Sequence, residues 1–199
     1  MKPLAAAAIA LAAILALPAV VVLLAAGSPA HGGQPTSTAR TEIPPGYLAL
    51  YQAAPRQACP TLPWQVLAAI GWIESRHGTL DAPGVTADAN LAGAAGPMQF
   101  GIGGKAGNTW GGAPTRPATP RQGYGIDGNG DGIADVYDPA DAIPAAAGYL
   151  CAHGGGDPDR LRDALWAYNH SQAYVDQVLA KADDYATTAT LGDTATGDV

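Results

Sequence analysis

Apolar residues recur every three to four positions in five stretches of this 199-residue chain. This is the spacing of an amphipathic helix, with one face turned toward a core. Residues 64–73 are the densest example, with Trp64, Leu67 and Ile70 on one stripe and Gly78 placed to end the helix. Side-chain caps and prolines mark where helices begin. The predicted starts are Pro45, Thr61, Asp138, Asp157 and Ser171.

A long glycine-rich segment separates the second and third of these helices. Residues 78–138 lack the alternating pattern of a half-buried strand, and we expect irregular chain with at most short helices. Loops of this length in a compact domain usually carry function. The sequence therefore predicts an all-α fold, mostly helical, whose long loops form a cleft.

The N-terminus carries an apolar run. Residues 4–26 contain no charge after Lys2, which is long enough to span a bilayer that needs ~20 residues. Pro18 interrupts the run, and residues 28–30 resemble a signal-peptidase site. We expect residues 1–30 to be either a cleaved signal peptide or a membrane anchor. Both outcomes place the remainder outside the cytoplasm, in contact with the membrane only if residues 4–26 are retained.

Two polar segments flank the predicted domain. Residues 31–43 and 186–199 are rich in Gly and Thr, a composition typical of chains that do not bury a core. We expect a flexible linker over 31–43, a folded catalytic domain over 44–185 and a disordered tail over 186–199.

Charge and cysteine content restrict the class of protein further. The net charge is −7, and the ten Lys and Arg residues are scattered singly. No basic stripe is present to neutralise phosphates, which excludes nucleic acid as a partner. Cys59 and Cys151 are the two cysteines of an exported chain, and we expect a disulfide between them. The alternative is two buried free thiols. We expect a monomer that needs no organic cofactor.

Glutamate is rare in this chain. Of seventeen acidic residues only Glu42 and Glu74 are glutamates, and Glu42 falls in the predicted linker. Glu74 follows Leu67 by seven positions, so it continues the apolar stripe into the last helical turn. Apolar surroundings and the helix C-terminus both disfavour an ionised carboxylate. The pKa is therefore expected to rise, as a general acid requires; the alternative is a surface glutamate paired with Arg76.

Three short motifs occur in a fixed order: Glu74-Ser75, residues 96–100 (GPMQF) and residues 167–169 (AYN). Together they resemble the lytic transglycosylases of the lysozyme-like superfamily, which cleave the glycan strands of peptidoglycan. The resemblance covers about residues 60–185 and implies a lysozyme-like fold. It departs from the usual family pattern at residues 101–110, where many relatives have a Pro-Ser-x-Trp segment.

The resemblance implies a role for each motif. Glu74 would be the single catalytic acid and base, and Tyr168 would support it. Ser75 and Asn169 would position Glu74 or the N-acetyl group of a sugar. Trp110 and Tyr124 would stack on sugars or pack in the core. The implied substrate-binding residues are Ser75, Met98, Gln99, Tyr168 and Asn169.

A further segment, residues 127–135, follows the spacing of an EF-hand calcium loop. Oxygen-bearing residues stand at its first, third and fifth positions, and Gly132 stands at the sixth. Asp135 could add a water-linked contact. We expect Asp141 to be the bidentate ligand and Asp138 the second choice, because Asp138 is also a helix cap. Such a loop looks like the B-type lytic murein transglycosylases; the alternative is a solvated acidic turn. The predicted ligands are Asp127, Asn129, Asp131, Ile133 and Asp141.

The sequence leaves three functions open. The first is a lytic transglycosylase that cleaves the MurNAc–GlcNAc β-1,4 bond and leaves 1,6-anhydro-MurNAc ends. The second is a lysozyme-like hydrolase, in which Asp88 would be the second carboxylate. The third is a non-catalytic, calcium-stabilised protein that binds cell-wall glycans.

Overall fold

Six α-helices form the framework of residues 32–187, the part of the chain that the computed structural model describes. The mostly helical fold class with long loops is confirmed. The predicted signal or anchor and most of the predicted tail lie outside the described residues. In chain order the helices are α1 (Ser37–Glu42), α2 (Pro45–Ala58), α3 (Trp64–Ser75), α4 (Pro139–Ala152), α5 (Leu161–Tyr168) and α6 (Gln172–Tyr185).

Most of the predicted helix starts are confirmed. The Asp138 carboxylate accepts the Ala140 N–H ahead of α4, and the Ser171 hydroxyl accepts a backbone N–H ahead of α6. Asp157 begins a short 3₁₀ turn, Pro158–Arg160, that leads into α5. The start of α3 was predicted wrongly, because Pro63 and not Thr61 precedes the first helical residue and no side chain caps it.

The end of α3 also differs from the prediction. Arg76 and His77 have φ values of 53° and 57°, so the left-handed cap begins two residues before the predicted Gly78. This conformation costs free energy in residues that carry a Cβ. His77 is buried, and its packing holds the strained turn. The turn directly follows Glu74 and Ser75.

Helix α3 runs through the centre of the core. It packs against both α2 and α6, and α2 also packs against α4. Its residues are almost all apolar, so most of its faces can be buried. The largest side chains buried in the described part of the molecule include Trp64, Trp110, Tyr51, Tyr185, Leu67, Ile70, Ile143, Leu150 and Leu165.

Within residues 32–187, three short antiparallel strand pairs connect loop segments, and none of them was predicted. Strands of two or three residues are too short for an alternating pattern to emerge from the sequence. The middle pair closes the turn over residues 96–99, next to the end of α3. The pairs are β1 (Gln34–Pro35) with β6 (Ala186–Thr187), β2 (Ala94–Ala95) with β3 (Phe100–Gly101), and β4 (Thr115–Pro117) with β5 (Ile133–Asp135).

Residues 32–43 belong to the fold, and the prediction of a flexible linker over them is wrong. Ala39 and Ile43 are four positions apart and both are buried, so the short helix α1 docks through one face. The Glu42 carboxylate accepts a hydrogen bond from the Tyr185 hydroxyl at 3.0 Å and lies 2.7 Å from the Lys181 ammonium. The folded domain thus contains both glutamates, not one.

The predicted disulfide between Cys59 and Cys151 is confirmed. It joins the residue after α2 to the last turn of α4, and the two Cα atoms are 5.5 Å apart. The bridge connects positions 92 residues apart in sequence. None of the helices within residues 32–187 has the length and apolar character to cross a membrane.

The docking of α1 can be tested through Ile43. We expect Ile43→Ala to lower the free energy of unfolding by about 2–5 kcal/mol, because it leaves a cavity under the helix. Thr38→Ala, on the exposed face of α1, is the matched control and should change it by less than about 0.5 kcal/mol. Urea unfolding of both variants measures this. If both substitutions changed the free energy of unfolding by an equally small amount, α1 would not be docked on the core.

Candidate active site

One cleft, with a volume of about 440 Å³, lies at the end of α3. Its walls come from the last turn of α3, from the loop over residues 90–109, from α4 and from the end of α5. Nine of the fifteen lining residues have polar side chains, which suits a polar ligand. Its polar side chains are Glu74, Asn90, Gln99, Lys105, Thr109, Tyr149, Tyr168, Asn169 and His170.

Glu74 supplies the single carboxylate among the side chains that line this cleft. It stands in the last turn of α3 and is partly buried. Burial raises its pKa to about 7, although a hydrogen bond from Tyr174 acts in the opposite direction. The carboxyl is thus divided between its acid and base forms near neutral pH, the condition in which one group can first donate and then accept a proton.

The partner of Glu74 is Tyr174 and not the predicted Tyr168. The Tyr174 hydroxyl on α6 donates to Glu74 Oε1 at 2.7 Å. The Tyr168 hydroxyl donates instead to the Met98 carbonyl at 2.7 Å, and its ring lies parallel to that of Tyr174 at 6.5 Å. Tyr174 belongs to the apolar stripe of α6, and from its position in that pattern it cannot be distinguished from an ordinary core residue.

Ser75 and Met98 lie behind the cleft, contrary to the prediction that they contact substrate. The buried Ser75 hydroxyl donates to the Pro97 carbonyl and accepts the Gly78 N–H, both at 2.7 Å. Met98 is fully buried. Neither side chain lines the cleft. Ser75 joins the end of α3 to the turn over residues 96–99, and so fixes one wall of the cleft.

Gln99 lines the cleft as predicted, and its side-chain amide also hydrogen-bonds to the loop over residues 84–96. Its Nε2 donates to the carbonyls of Gly84 and Gly96, at 3.0 and 2.8 Å. Its Oε1 accepts from Asn90 Nδ2 at 2.9 Å. Gly96 has a φ of 78°, and a Cβ there would collide with the Val136 carbonyl oxygen. Asn90 was missed because it stands alone in a loop without a motif.

Asn169 lines the cleft from the end of α5, where the predicted motif over residues 167–169 ends the helix. Its side chain is exposed. The Tyr149 hydroxyl donates to the Ala167 carbonyl at 2.8 Å, which connects this wall to α4. His170, also missed from sequence, lies at the rim, with its ring 4.3 Å from that of Trp166.

Three residues that the sequence suggested as possible site residues do not line the cleft. Trp110 is fully buried, and its ring centroid is 5.4 Å from that of Phe100. Tyr124 packs edge-on against Tyr149 at 4.8 Å. For both aromatic residues the structure supports core packing and not sugar stacking. Asp88 is exposed and absent from the lining, so it adds no second carboxylate beside Glu74.

A buried polar cluster beneath the cleft was not predicted. His77 Nδ1 is 3.0 Å from the Tyr51 hydroxyl, and Nε2 is 3.2 Å from the Tyr185 hydroxyl. Burial lowers the pKa of His77 to about 4, so the imidazole is neutral at pH 7. Tyr185 donates in turn to Glu42. The cluster therefore connects the turn after Glu74 to α1, α2 and α6.

The predicted calcium loop is ordered by its own hydrogen bonds. The Asp127 carboxylate accepts the N–H groups of Gly130 and Gly132, at 2.6 and 2.8 Å. Asp141 is buried and accepts the N–H groups of Gly128 and Asp135, at 2.7 and 2.9 Å. Burial raises the pKa of Asp141, although these hydrogen bonds oppose the rise. Both carboxylates hold the backbone of the loop.

The remaining predicted ligands lie on the exposed side of this loop. The Asn129 amide donates to the carboxylates of Asp131 and Asp138, at 3.2 and 2.9 Å, and Ile133 lies in β5. Within the described chain no three Asp, Glu, His or Cys side chains converge closely enough to hold a metal ion. Calcium binding at this loop therefore stays a prediction.

Comparison with known proteins gives one structural likeness. No protein-family model matches the chain, and no curated protein matches it significantly. Two solved structures of the Escherichia coli lytic transglycosylase Slt35 are similar to it, each at 16% sequence identity over 73% of this chain. One is a complex with bulgecin A (TM-score 0.49, 75% of that chain covered) and the other a complex with calcium (TM-score 0.46, 76% covered).

Proposed function

We propose that this protein is a lytic transglycosylase that cleaves the MurNAc–GlcNAc β-1,4 bond of peptidoglycan. The proposal rests on the position of Glu74 in the cleft and on its raised pKa. Glu74 supplies the single carboxylate in the cleft lining, and burial raises its pKa to about 7. The ordered motifs at residues 74–75, 96–100 and 167–169 support the same assignment.

Glu74 performs both proton transfers in this mechanism. In the acid form it protonates the glycosidic oxygen, and the bond from that oxygen to C1 of the muramic sugar breaks. The resulting carboxylate then accepts the proton of the muramic C6 hydroxyl as that oxygen attacks C1. A 1,6-anhydro ring forms, and Glu74 returns to its acid form. Both transfers need a pKa near the working pH.

The number of carboxylates favours this mechanism over hydrolysis. A hydrolase normally places a second Asp or Glu across the scissile bond, as nucleophile or as the base for water. Asp88 is exposed and outside the cleft lining. The substrate's own acetamido group would therefore stabilise the positive charge at C1, and the exposed amide of Asn169 is the group we assign to orient it.

A buried carboxyl also argues against a purely structural or glycan-binding role. Moving an acid into an environment that raises its pKa reduces the stability of the fold as the pH rises past the ordinary value. Such groups are concentrated at catalytic sites, where the shifted pKa is useful. The confirmed disulfide supports an oxidising, extracytoplasmic location for the enzyme.

Exchange of Glu74 tests the catalytic assignment. Glu74→Gln keeps the size of the side chain and removes the transferable proton, so turnover of purified glycan strands should fall roughly 10²- to 10⁴-fold. Asp88→Asn is the matched control, with the same acid-to-amide change outside the cleft, and should retain activity. Near-normal turnover by Glu74→Gln would refute the enzymatic assignment, and loss of activity in Asp88→Asn would favour a hydrolase.

The products distinguish the two enzymatic classes directly. Digestion of glycan strands in ¹⁸O-labelled water, followed by mass spectrometry, should give unlabelled anhydro ends that are lighter by one water than reducing ends. Labelled reducing ends throughout the products would contradict the transglycosylase assignment while leaving Glu74 as an acid catalyst.

We also propose that the loop over residues 127–135 binds calcium weakly, with a structural role. The order of its oxygen-bearing residues supports this, and the exposed Asn129 and Asp131 could reorient toward an ion. The site would have the affinity of extracellular modules, with a dissociation constant of ~10⁻⁴–10⁻³ M.

Thermal unfolding with calcium or with a chelator tests this proposal. Calcium should raise the melting temperature, following RT ln(1 + [L]/Kd), and Asp131→Ala should abolish the increase. Asp141→Asn should lower the melting temperature with or without calcium, because Asp141 also holds two backbone N–H groups. An identical melting temperature in calcium and chelator would make the loop an acidic turn.

A further inference from the structure

Lys105 brings a positive charge to the cleft wall. It is exposed and stands in the short 3₁₀ turn Gly104–Ala106. Of the residues that line the cleft, only Glu74 and Lys105 are Asp, Glu, Lys or Arg. None of the ion pairs between described side chains involves Lys105. Its ammonium is therefore available to a ligand.

The backbone around Lys105 is held in place. The N–H of Ala106 donates to the Ala92 carbonyl at 2.8 Å, and the N–H of Gly103 donates to the Gly107 carbonyl at 2.7 Å. A Cβ on Gly101 would collide with the Ala106 carbonyl oxygen. The glycines thus let this turn pack directly against the loop that carries Asn90, which also lines the cleft.

The electrostatic setting of Lys105 favours an anion. The chain as a whole has a net charge of −7, so a negatively charged glycan is repelled at long range. Inside the cleft the balance differs, because Glu74 is only partly ionised near neutral pH while Lys105 is a compact positive charge. A carboxylate could therefore bind at Lys105 without strong repulsion from its surroundings.

We propose that Lys105 binds a carboxylate carried by the glycan strand, so that the cleft prefers acidic amino-sugar strands over neutral ones. This inference rests on the proposed function and specifies its substrate class. The carboxylate has two chemical sources, the lactyl group of a peptide-free muramic sugar and the stem peptide attached to it. Lys105 lies in residues 101–110, where the sequence departs from the pattern of the family it resembles, so the preference belongs to this chain.

Calorimetry tests the preference in the Glu74→Gln background, where no turnover consumes the ligand. Three probes of equal sugar number are needed: a neutral chitooligosaccharide, a peptide-free GlcNAc–MurNAc strand and the same strand with stem peptides. In Lys105→Met the ratio of acidic-strand to neutral affinity should fall about 2- to 5-fold, the size expected of an exposed charge pair. Lys105→Arg should retain the ratio, and added salt should reduce it.

Arg56→Met is the matched control. Arg56 is exposed on α2 and outside the cleft lining, and its exchange alters the net charge of the protein equally. It should leave all three affinities unchanged. If Lys105→Met lowers the affinity for the peptide-free strand, the carboxylate that Lys105 binds is that of the lactyl group. If it lowers the affinity only for the peptide-bearing strand, the carboxylate belongs to the stem peptide.

Other results overturn the proposal. Recognition of charge by Lys105 is refuted if Lys105→Met leaves the affinity ratio unchanged, or if it lowers the affinity for the neutral probe by the same factor. The proposed function stands in either case if the native enzyme cleaves the strands. Failure of the Glu74→Gln protein to bind any of the three probes would overturn both the recognition and the proposed function.

Discussion

The burial of one carboxyl group at the end of α3 is the constraint on which the cleft depends. Helix α3 is apolar on nearly all sides and packs against both α2 and α6. Glu74 is carried into this environment, and its pKa rises to about 7. Tyr174 donates the one hydrogen bond that limits the rise. The chemistry of Glu74 is therefore a consequence of where the helix ends.

The residues after Glu74 keep that end in place. Ser75 fastens the turn over residues 96–99 through the Pro97 carbonyl. The neutral imidazole of His77 connects the turn that follows Glu74 to α2 and α6. Both residues are buried, and both serve the geometry of the cleft without lining it. The left-handed backbone at Arg76 and His77 is strained, and this packing offsets the strain.

Most features with a local cause were predicted from sequence, whereas features that arise from long-range packing, apart from the Cys59–Cys151 disulfide, were not. The helical stripes, the caps at Asp138 and Ser171 and the position of Glu74 on an apolar face depend on residues within two turns of one another. Tyr174 is 100 positions from Glu74, and Asn90 reaches Gln99 only because strand pairs fold the loop. Residues 32–43 have the composition of a linker, yet two apolar side chains one helical turn apart suffice to dock them.

The central claim is that Glu74 is a partly protonated acid at neutral pH, and carbon NMR tests it directly. The chain contains two glutamates, so ¹³C-labelled glutamate gives two side-chain carboxyl signals. The Glu74 signal, assigned from the Glu74→Gln variant, should titrate near pH 7, since burial disfavours its charged form. The Glu42 signal should titrate below its ordinary range, because burial, which alone would raise the pKa, is outweighed by Lys181 and Tyr185. Titration of Glu74 at or below the ordinary glutamate pKa of about 4.3 would contradict this account.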